Sequence, residues 1–215
     1  MDTLGKLFSS VPLVKVMKLF LMNPDTGFEA KEVASRAQIK DSSAKTELNL
    51  LKSAGMVKKK TFVKEVEVKT KKGKIIQKKK VDGWFLDKDF KYNDPLHSLL
   101  IGSDRIDRAE LIKRLKPAGK IKLLVIAGVF IKDPESRADL MIVGDNLKMK
   151  TLGNILKTLE AEIGKELNYA VFTTEEFKYR SNMYDKLVCD IFEFAHEELI
   201  KSPDLSTEDL KKRYL

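Results

Sequence analysis

The sequence predicts an α+β protein in two parts: an N-terminal helical domain closed by a β-hairpin, then a small α/β domain on a mixed sheet. Three observations carry this expectation. Apolar residues recur at helical spacing through residues 11–53, alternation of apolar and charged residues sets in at Val57, and beyond residue 119 continuous apolar runs alternate with amphipathic stretches. Charge divides the chain in the same way: residues 1–92 hold 21 Lys+Arg against 11 Asp+Glu, residues 93–215 hold 20 against 21, and the total is +9. A basic half beside a near-neutral one points to a polyanion-binding domain joined to a domain with another task.

With 215 residues the chain is long enough to bury two small cores. No apolar run approaches the roughly 20 residues of a membrane-spanning helix. The stretch MDTLGKLFSSVPLVKVMKLF has helical periodicity broken by Lys15 and Lys18, and lacks the apolar h-region and small-residue cleavage site of a secretory leader. A cytoplasmic protein without a membrane partner is therefore expected. The single cysteine, Cys189 in LVCDIF, reads as a buried structural thiol on an apolar helix face. His97 and His196 lie far apart with no Cys or His at ligand spacing, so no metal site and no cofactor is expected from them.

The elements follow in order. VPLVKVMKLFLM (11–22) places Val11, Val14, Leu19 and Phe20 on one broad helical face and stops at the turn residues Asn23, Pro24, Asp25 and Gly27. FEAKEVASRA (28–37) predicts a short helix with Val33, Ala34 and Ala37 inward. Asp41, Ser42 or Ser43 can cap the next helix, which carries Leu48, Leu50 and Leu51 until Gly55 closes it. VKKKTFVKEVEVKT (57–70) predicts a strand, KKGK (71–74) a turn with Gly73 as the positive-φ residue, and IIQKKKVDGWFLD the returning strand. A third helix running into a β-hairpin is the order of a winged helix-turn-helix.

Residues 93–118 predict a linker followed by a helix over ELIKRLK. KIKLLVIAGVF is a fully buried type of strand ending at Gly128, IKDPESRA a polar loop, and DLMIVGD the next strand. LKMKTLGNILKTLEAEIG predicts a helix with Leu152, Ile155, Leu156, Leu159 and Ile163 on one face. NYAVF predicts a third strand, TTEEF a capping box, and SNMYDKLVCDIFEFAHEEL one long amphipathic helix. The division expected is thus 1–92, 93–118, 119–200, and a tail or short helix at 201–215, with a cap signal at Ser206 or Thr207.

The stretch SVPLVKVMKLFLMNPDTGFEAKEVASRAQIKDSSAKTELNLLKSAGMVKKK resembles the winged-helix DNA-binding domains of prokaryotic transcriptional regulators, over about residues 10–92. The resemblance implies that the helix beginning near Asp41 enters the major groove of duplex DNA, with Ser42, Ser43, Lys45, Thr46, Asn49 and Lys52 near base edges or phosphates. A separate argument comes from the hairpin. Residues 58–80 carry eleven lysines (58, 59, 60, 64, 69, 71, 72, 74, 78, 79 and 80) and two acids, Glu65 and Glu67. Lysine without arginine or interleaved aromatic residues favours phosphate contact over base readout. Lys58, Lys59, Lys60, Lys71, Lys72 and Lys74 are accordingly expected at DNA. A plain alternative is a solvated edge hairpin protected by lysine.

The second half resembles the minimal nucleotidyltransferase fold of the polymerase-beta superfamily, where a strand ends in Gly-Ser and the next strand begins Asp-x-Asp. There, two carboxylates flanking one residue project to the same side and hold the magnesium ions that clamp a triphosphate. Gly128 stands at the glycine position, but Val129 replaces the serine. Ser136 matches the serine before the carboxylates, Arg137 replaces the first aspartate, Asp139 remains, and Asn168 and Tyr169 stand where a third acid belongs. Gly128, Ser136, Arg137 and Asp139 thus read as a vestigial nucleotide site without catalytic residues or metal, or else Asp139 is an ordinary acid at a strand start. Arg137 with Lys132 would suit an anion such as a nucleotide phosphate. The resulting expectation is a DNA-binding transcriptional regulator, a homodimer through the helix at about 182–200 (Met183, Leu187, Cys189 or Asp190, Phe192, Phe194), with a nucleotide or other small-molecule effector. The alternative is an active nucleotidyltransferase of the antitoxin type that modifies a protein or RNA, with Asp133 or Glu135 replacing the lost carboxylate.

Overall fold

The computed structural model describes residues 3–70, 73–102, 107–133, 135–205 and 207; of 66–70 and 73–75 only the backbone is described. The chain is α+β and separates into two compact units, Met1–Asp104 with Lys157–Lys165, and Arg105–Leu156 with Glu166–Leu215. No helix among the described residues is long and apolar enough to cross a membrane.

In the first unit, α1 (Thr3–Leu7) precedes α2 (Val11–Met22). Ser10 caps α2, its Oγ accepting the Leu13 N–H at 3.1 Å, and the same hydroxyl donates to Glu47 at 2.8 Å. The inner face of α2 buries Val14, Met17, Leu21 and Phe20, while Val11 stays exposed at the first turn. The next helix, α3 (Ala30–Ala37), starts two residues later than its sequence pattern suggests. Phe28 is held back by a reciprocal pair of backbone hydrogen bonds with Trp84, 3.0 and 2.8 Å long. Its buried ring meets Phe20 edge to face at 5.8 Å.

The following helix, α4 (Asp41–Ser53), is not capped by Asp41, Ser42 or Ser43. All three are already inside the helix, and Lys40 at the cap position makes no side-chain cap bond. Ala44, Leu48 and Leu51 face the core; Leu50, two positions from Leu48 and so on the other side of the helix, is 50% exposed.

A hairpin follows, β1 (Val57–Thr70) with β2 (Gly73–Leu86), paired antiparallel from Val57↔Leu86 to Thr70↔Gly73. Gly73 therefore belongs to a strand, and the rest of the expected turn, Lys71 and Lys72, lies outside the described residues. At the base, Val57, Trp84 and Leu86 are buried in the helical core. One step out, Phe62 packs edge to face on Phe85 at 5.3 Å and lies over Gly83, where any side chain would overlap the ring. The expected linker belongs to this unit: after α5 (Asn93–His97) a π-helical turn, Ser98–Gly102, buries Leu100 in the same core.

In the second unit, Asp107 caps α6 (Arg108–Leu115) by accepting the Ala109 N–H at 2.9 Å. The sheet contains β3 (Ile121–Ile126), β4 (Leu140–Gly144), β5 (Tyr169–Phe172) and β6 (Glu197–Lys201), in the order β5-β4-β3-β6. It is mixed: β3 runs antiparallel to β4 and β6, and β4 parallel to β5. Between β4 and β5 lies α7 (Met149–Ile163), the long connection that a parallel pair requires. Successive residues of β3 point to opposite faces, and Leu123 to Ile126 are all buried, so both faces of the sheet are covered.

The capping box after β5 is present: Thr173 and Glu176 exchange bonds at the start of α8 (Thr174–Asn182). The long final helix is not. Tyr184 takes a left-handed conformation (φ 53°), and Asp185 restarts the chain as α9 (Lys186–Glu193) by accepting the N–H groups of Leu187 and Val188. The EELIK stretch then forms β6. Pairing with the open edge of β3 and the Arg108–Glu197 ion pair (2.7 Å) outweigh the helical propensity of its glutamates. Of the face expected to join two copies, Cys189 and Phe192 are buried in the core of the unit, whereas Met183 and Leu187 are exposed. The tail's cap signal at Ser206 lies outside the described residues; Thr207 is buried and donates to Glu198 at 3.1 Å.

Candidate nucleic-acid interface and the glycine-aspartate loop

Two places gather the residues singled out in the sequence. The first is the outer face of α4 with the hairpin. Ala44, Leu48 and Leu51 anchor one side of α4, which turns Ser42, Lys45, Thr46, Asn49 and Lys52 to the outside; Ser43 is half-buried. Thr46 Oγ1 donates to the Ser42 carbonyl at 3.1 Å, which occupies its proton. Lys45, Asn49 and Lys52 make no side-chain hydrogen bond or ion pair among the described residues.

The hairpin lysines divide into two sets. Lys58 pairs with Asp87 at 2.8 Å and Lys59 with Asp82 at 3.0 Å. Lys64 reaches Glu32 at 2.7 Å and Glu29 at 3.3 Å, tying β1 to the start of α3. Those two carboxylates, Glu32 foremost, push the Lys64 ammonium above its ordinary value. The bond from Lys58, with the Asp89 N–H, holds Asp87 below the usual carboxylate range; bonds from Lys59 and Thr61 do the same for Asp82. Lys78 approaches Glu65 at 3.9 Å. Lys60, Lys79 and Lys80 are exposed and unpaired among the described residues. Lys71 and Lys72, and the side chain of Lys74, lie outside the described residues. Sequence reasoning did not single out Asp82, Asp87, Glu29 and Glu32 as partners; the cross-strand pair Lys59 and Asp82 is legible only once the register is known.

The second place is the loop between β3 and β4. Gly128 turns there with φ 52°, and Asp139 stands just before β4, 4% exposed. Asp139 Oδ1 accepts the Val129 N–H at 2.8 Å and Oδ2 accepts the Asn168 N–H at 2.9 Å. Its backbone closes two more links, the Ala127 N–H to its carbonyl at 2.9 Å and its own N–H to the Asn168 carbonyl at 2.6 Å. A side chain at Gly128 would overlap Asp139 Oδ1, so the glycine and the aspartate require each other.

A magnesium ion of the kind the nucleotidyltransferase resemblance implies does not fit these residues. Both oxygens of the one retained carboxylate already serve backbone donors, and the described residues contain no group of three His, Cys, Asp or Glu able to hold a metal. Arg137 makes one ion pair, its Nη1 donating to Asp190 at 2.8 Å, an acid on α9 that sequence reasoning did not pair with it. Ser136 Oγ donates to the Ala138 carbonyl at 2.7 Å. Asp133, a candidate substitute acid, closes a turn by accepting the Glu135 N–H at 3.0 Å. Beside the loop, Arg137, Asn168, Tyr169 and Leu187 line a shallow, open hollow.

Compared with protein-family models, with curated proteins and with solved structures, the chain matches none of them.

Proposed function

We propose that the chain is a DNA-binding transcriptional regulator of the winged helix-turn-helix kind, acting in the cytoplasm, whose second unit senses a ligand or mediates association. One observation carries the reading: α4 turns Lys45, Asn49 and Lys52 outward without partners, and the hairpin that directly follows it keeps Lys60, Lys79 and Lys80 unpaired. A helix that enters the major groove needs an outer face of uncommitted polar side chains, and a flanking cationic ribbon supplies phosphate contacts that fix its register. Asn49 suits adenine, which offers an acceptor and a donor to one amide. The reading includes two copies on a twofold-symmetric operator with half-sites about one helical turn (~34–36 Å) apart.

For the second unit, the engagement of Asp139 by two backbone N–H groups argues for a scaffold and against two-metal phosphoryl transfer.

The test is binding of the purified chain to labelled duplex DNA across a salt series. Tight binding that falls steeply with salt and prefers one sequence is the expected result. Replacing Lys60, Lys79 and Lys80 by alanine should weaken binding to all sequences alike, whereas Asn49→Ala should cost about 1–3 kcal/mol on the preferred sequence and relax its choice. Equal, weak binding to every duplex would sink the reading.

A further inference from the structure

In the second unit, large apolar residues left outside the core gather on one border. Tyr169, Tyr179, Met183, Tyr184 and Leu187 are between 39% and 67% exposed, and three of the chain's five tyrosines are among them. Met183 stands one helical turn after Tyr179 at the end of α8, its N–H bonded to the Tyr179 carbonyl at 3.0 Å. Tyr184 follows, and Leu187 opens α9 two residues after the cap Asp185, which Arg180 of α8 ties down at 2.8 Å. Leu187 and Tyr169 line one hollow. Tyr169 begins β5, the strand at the edge of the sheet, with no strand beyond it among the described residues.

The core alone does not account for this arrangement. At Tyr184 the backbone is left-handed (φ 53°), a conformation that glycine or asparagine takes at little cost and a bulky side chain does not. The tyrosine held there stays half exposed, so burial does not explain it. Single exposed apolar residues are ordinary, but a contiguous group marks an interaction surface. With about half of each residue exposed, at roughly 200 Å² per large side chain, the five offer about 500 Å². Two such surfaces facing each other would bury about 1,000 Å², the least that a stable specific interface needs, before any rim is counted.

Charge identifies the occupant. Residues 169–187 carry three basic and three acidic side chains, in a chain whose excess of +9 lies in the other half. Glu176 is taken by the capping box and Arg180 by Asp185, which leaves Glu175, Lys178 and Lys186 exposed and without an ion pair among the described residues. A polyanion finds no net attraction on a neutral, tyrosine-rich surface. The same surface turned about a twofold axis sets apolar centre against apolar centre, with free charges of both signs at the rim.

We infer that this border is the surface through which two copies of the chain associate, with Tyr179, Met183 and Tyr184 at its centre, Tyr169 and Leu187 beside them, and Glu175 facing Lys178 or Lys186 of the second copy. The inference rests on the twofold arrangement in the reading above and supplies the contact that arrangement needs.

The test is sedimentation equilibrium of the full chain without DNA over about 1 to 100 μM, a range that includes the weak end of interfaces of standard size. The chain should sediment as a dimer. Tyr179→Glu combined with Met183→Glu should raise the dissociation constant by about tenfold or more, with circular dichroism unchanged because both residues are exposed. Met149→Glu is the control: this exposed residue begins α7, which follows the end of β4, whereas Tyr169 pairs with Leu140 at its start, so the dimer should survive. A dimer that persists in the double variant, or is lost equally in Met149→Glu, overturns this surface and leaves the twofold reading standing. A wild-type chain that stays monomeric throughout overturns the surface and the twofold arrangement together, while binding to duplex DNA is decided separately by its own salt series.

Discussion

Replacing Asp139 by alanine separates a structural aspartate from a metal ligand, because the two roles predict opposite signs for stability. In the structure the carboxylate is 4% exposed and accepts two backbone N–H groups, from Val129 at 2.8 Å and Asn168 at 2.9 Å. Alanine removes the charged acceptor from two part-buried N–H groups, and hydrogen bonds to a charged group are worth about 1.5–3 kcal/mol each, so the expected loss is about 4 kcal/mol. Asparagine keeps the shape but offers one acceptor and turns an amide N–H toward a donor, so a large part of the loss persists. The assay is urea denaturation with two probes. Trp84 is the only tryptophan and lies in the core of the first unit, so its fluorescence follows that unit. Far-UV circular dichroism follows both. With a slope of about 2 kcal/mol per molar urea, Asp139→Ala should lower the midpoint of the second unit by about 2 M and leave the Trp84 transition in place. An unchanged or raised midpoint would refute the reasoning, since an open metal site relieved of a carboxylate gains or keeps stability. So would a rise of the wild-type midpoint with millimolar magnesium, which requires a site on the native state.

Other expectations follow from the same geometry. Gly128→Ala should destabilise the second unit by at least about 2 kcal/mol, as both the left-handed backbone and the overlap with Asp139 oppose it; in an Asp139→Ala background the overlap is gone and a smaller cost should remain by the same urea assay. Acid should weaken the second unit. The Ser202 hydroxyl and Lys122 hold Asp204 down to about 2, and the Thr174 N–H and hydroxyl, with Lys122, hold Asp145 below its ordinary value. Carboxyl groups depressed on folding add stability that is complete above their unfolded value near 4 and is lost as pH falls toward 2; thermal midpoints between pH 5 and 2 should show this, and Asp204→Asn should flatten the profile. Replacing Glu29 and Glu32 together by glutamine frees Lys64 and should raise affinity for all duplexes, steepening the salt slope by about 0.9, with a stability change under about 1 kcal/mol because all three side chains are partly exposed.

Local patterns carried much of the fold. The spacing of Val14, Met17 and Leu21, and of Ala44, Leu48 and Leu51, marks inward faces wherever the partner lies, and Thr173 with Glu176 forms the capping box that their spacing implies. What the sequence hid depends on distant partners. Phe28 looks like the first residue of a helix until Trp84 supplies its backbone pair. The glutamates of EELIK favour a helix until β3 offers an edge. At the loop, the nucleotidyltransferase resemblance named Gly128 and Asp139 together and the structure places them side by side, yet residue type cannot tell a carboxylate that binds a cation from one that binds backbone N–H groups. The distinction lies in Val129 and Asn168, whose contributions are main-chain and leave no trace in their side chains.

The charge of the first half acquires direction only through the acids. Net charge treats eleven hairpin lysines as one quantity. The structure assigns Lys58, Lys59 and Lys64 to Asp87, Asp82, Glu29 and Glu32, all at the base where β1 and β2 meet the helices. These pairs hold the hairpin at its root, and their fields cancel at the range of a partner, because each opposite charge sits within about 3 Å of its mate while screening acts over about 8 Å. Lys60, Lys79 and Lys80, opposite Gly83, Lys64 and Val63 on the same stretch of the hairpin, make no ion pair among the described residues, and by sequence only Glu65 and Glu67 oppose the lysines between 64 and 80. By sequence, the stretch 64–80 carries eight lysines against two glutamates, an excess the acids at the base do not offset. A uniformly basic surface would attract a polyanion in any orientation; on the proposed DNA-binding reading, uneven neutralisation along the hairpin would instead favour one orientation of approach. Moving the neutralising acids outward, by exchanging Asp82 for lysine and Lys79 for aspartate at unchanged net charge, should slow association at low salt and leave the folded stability nearly the same. If the association rate depended on net charge alone, that exchange would change nothing.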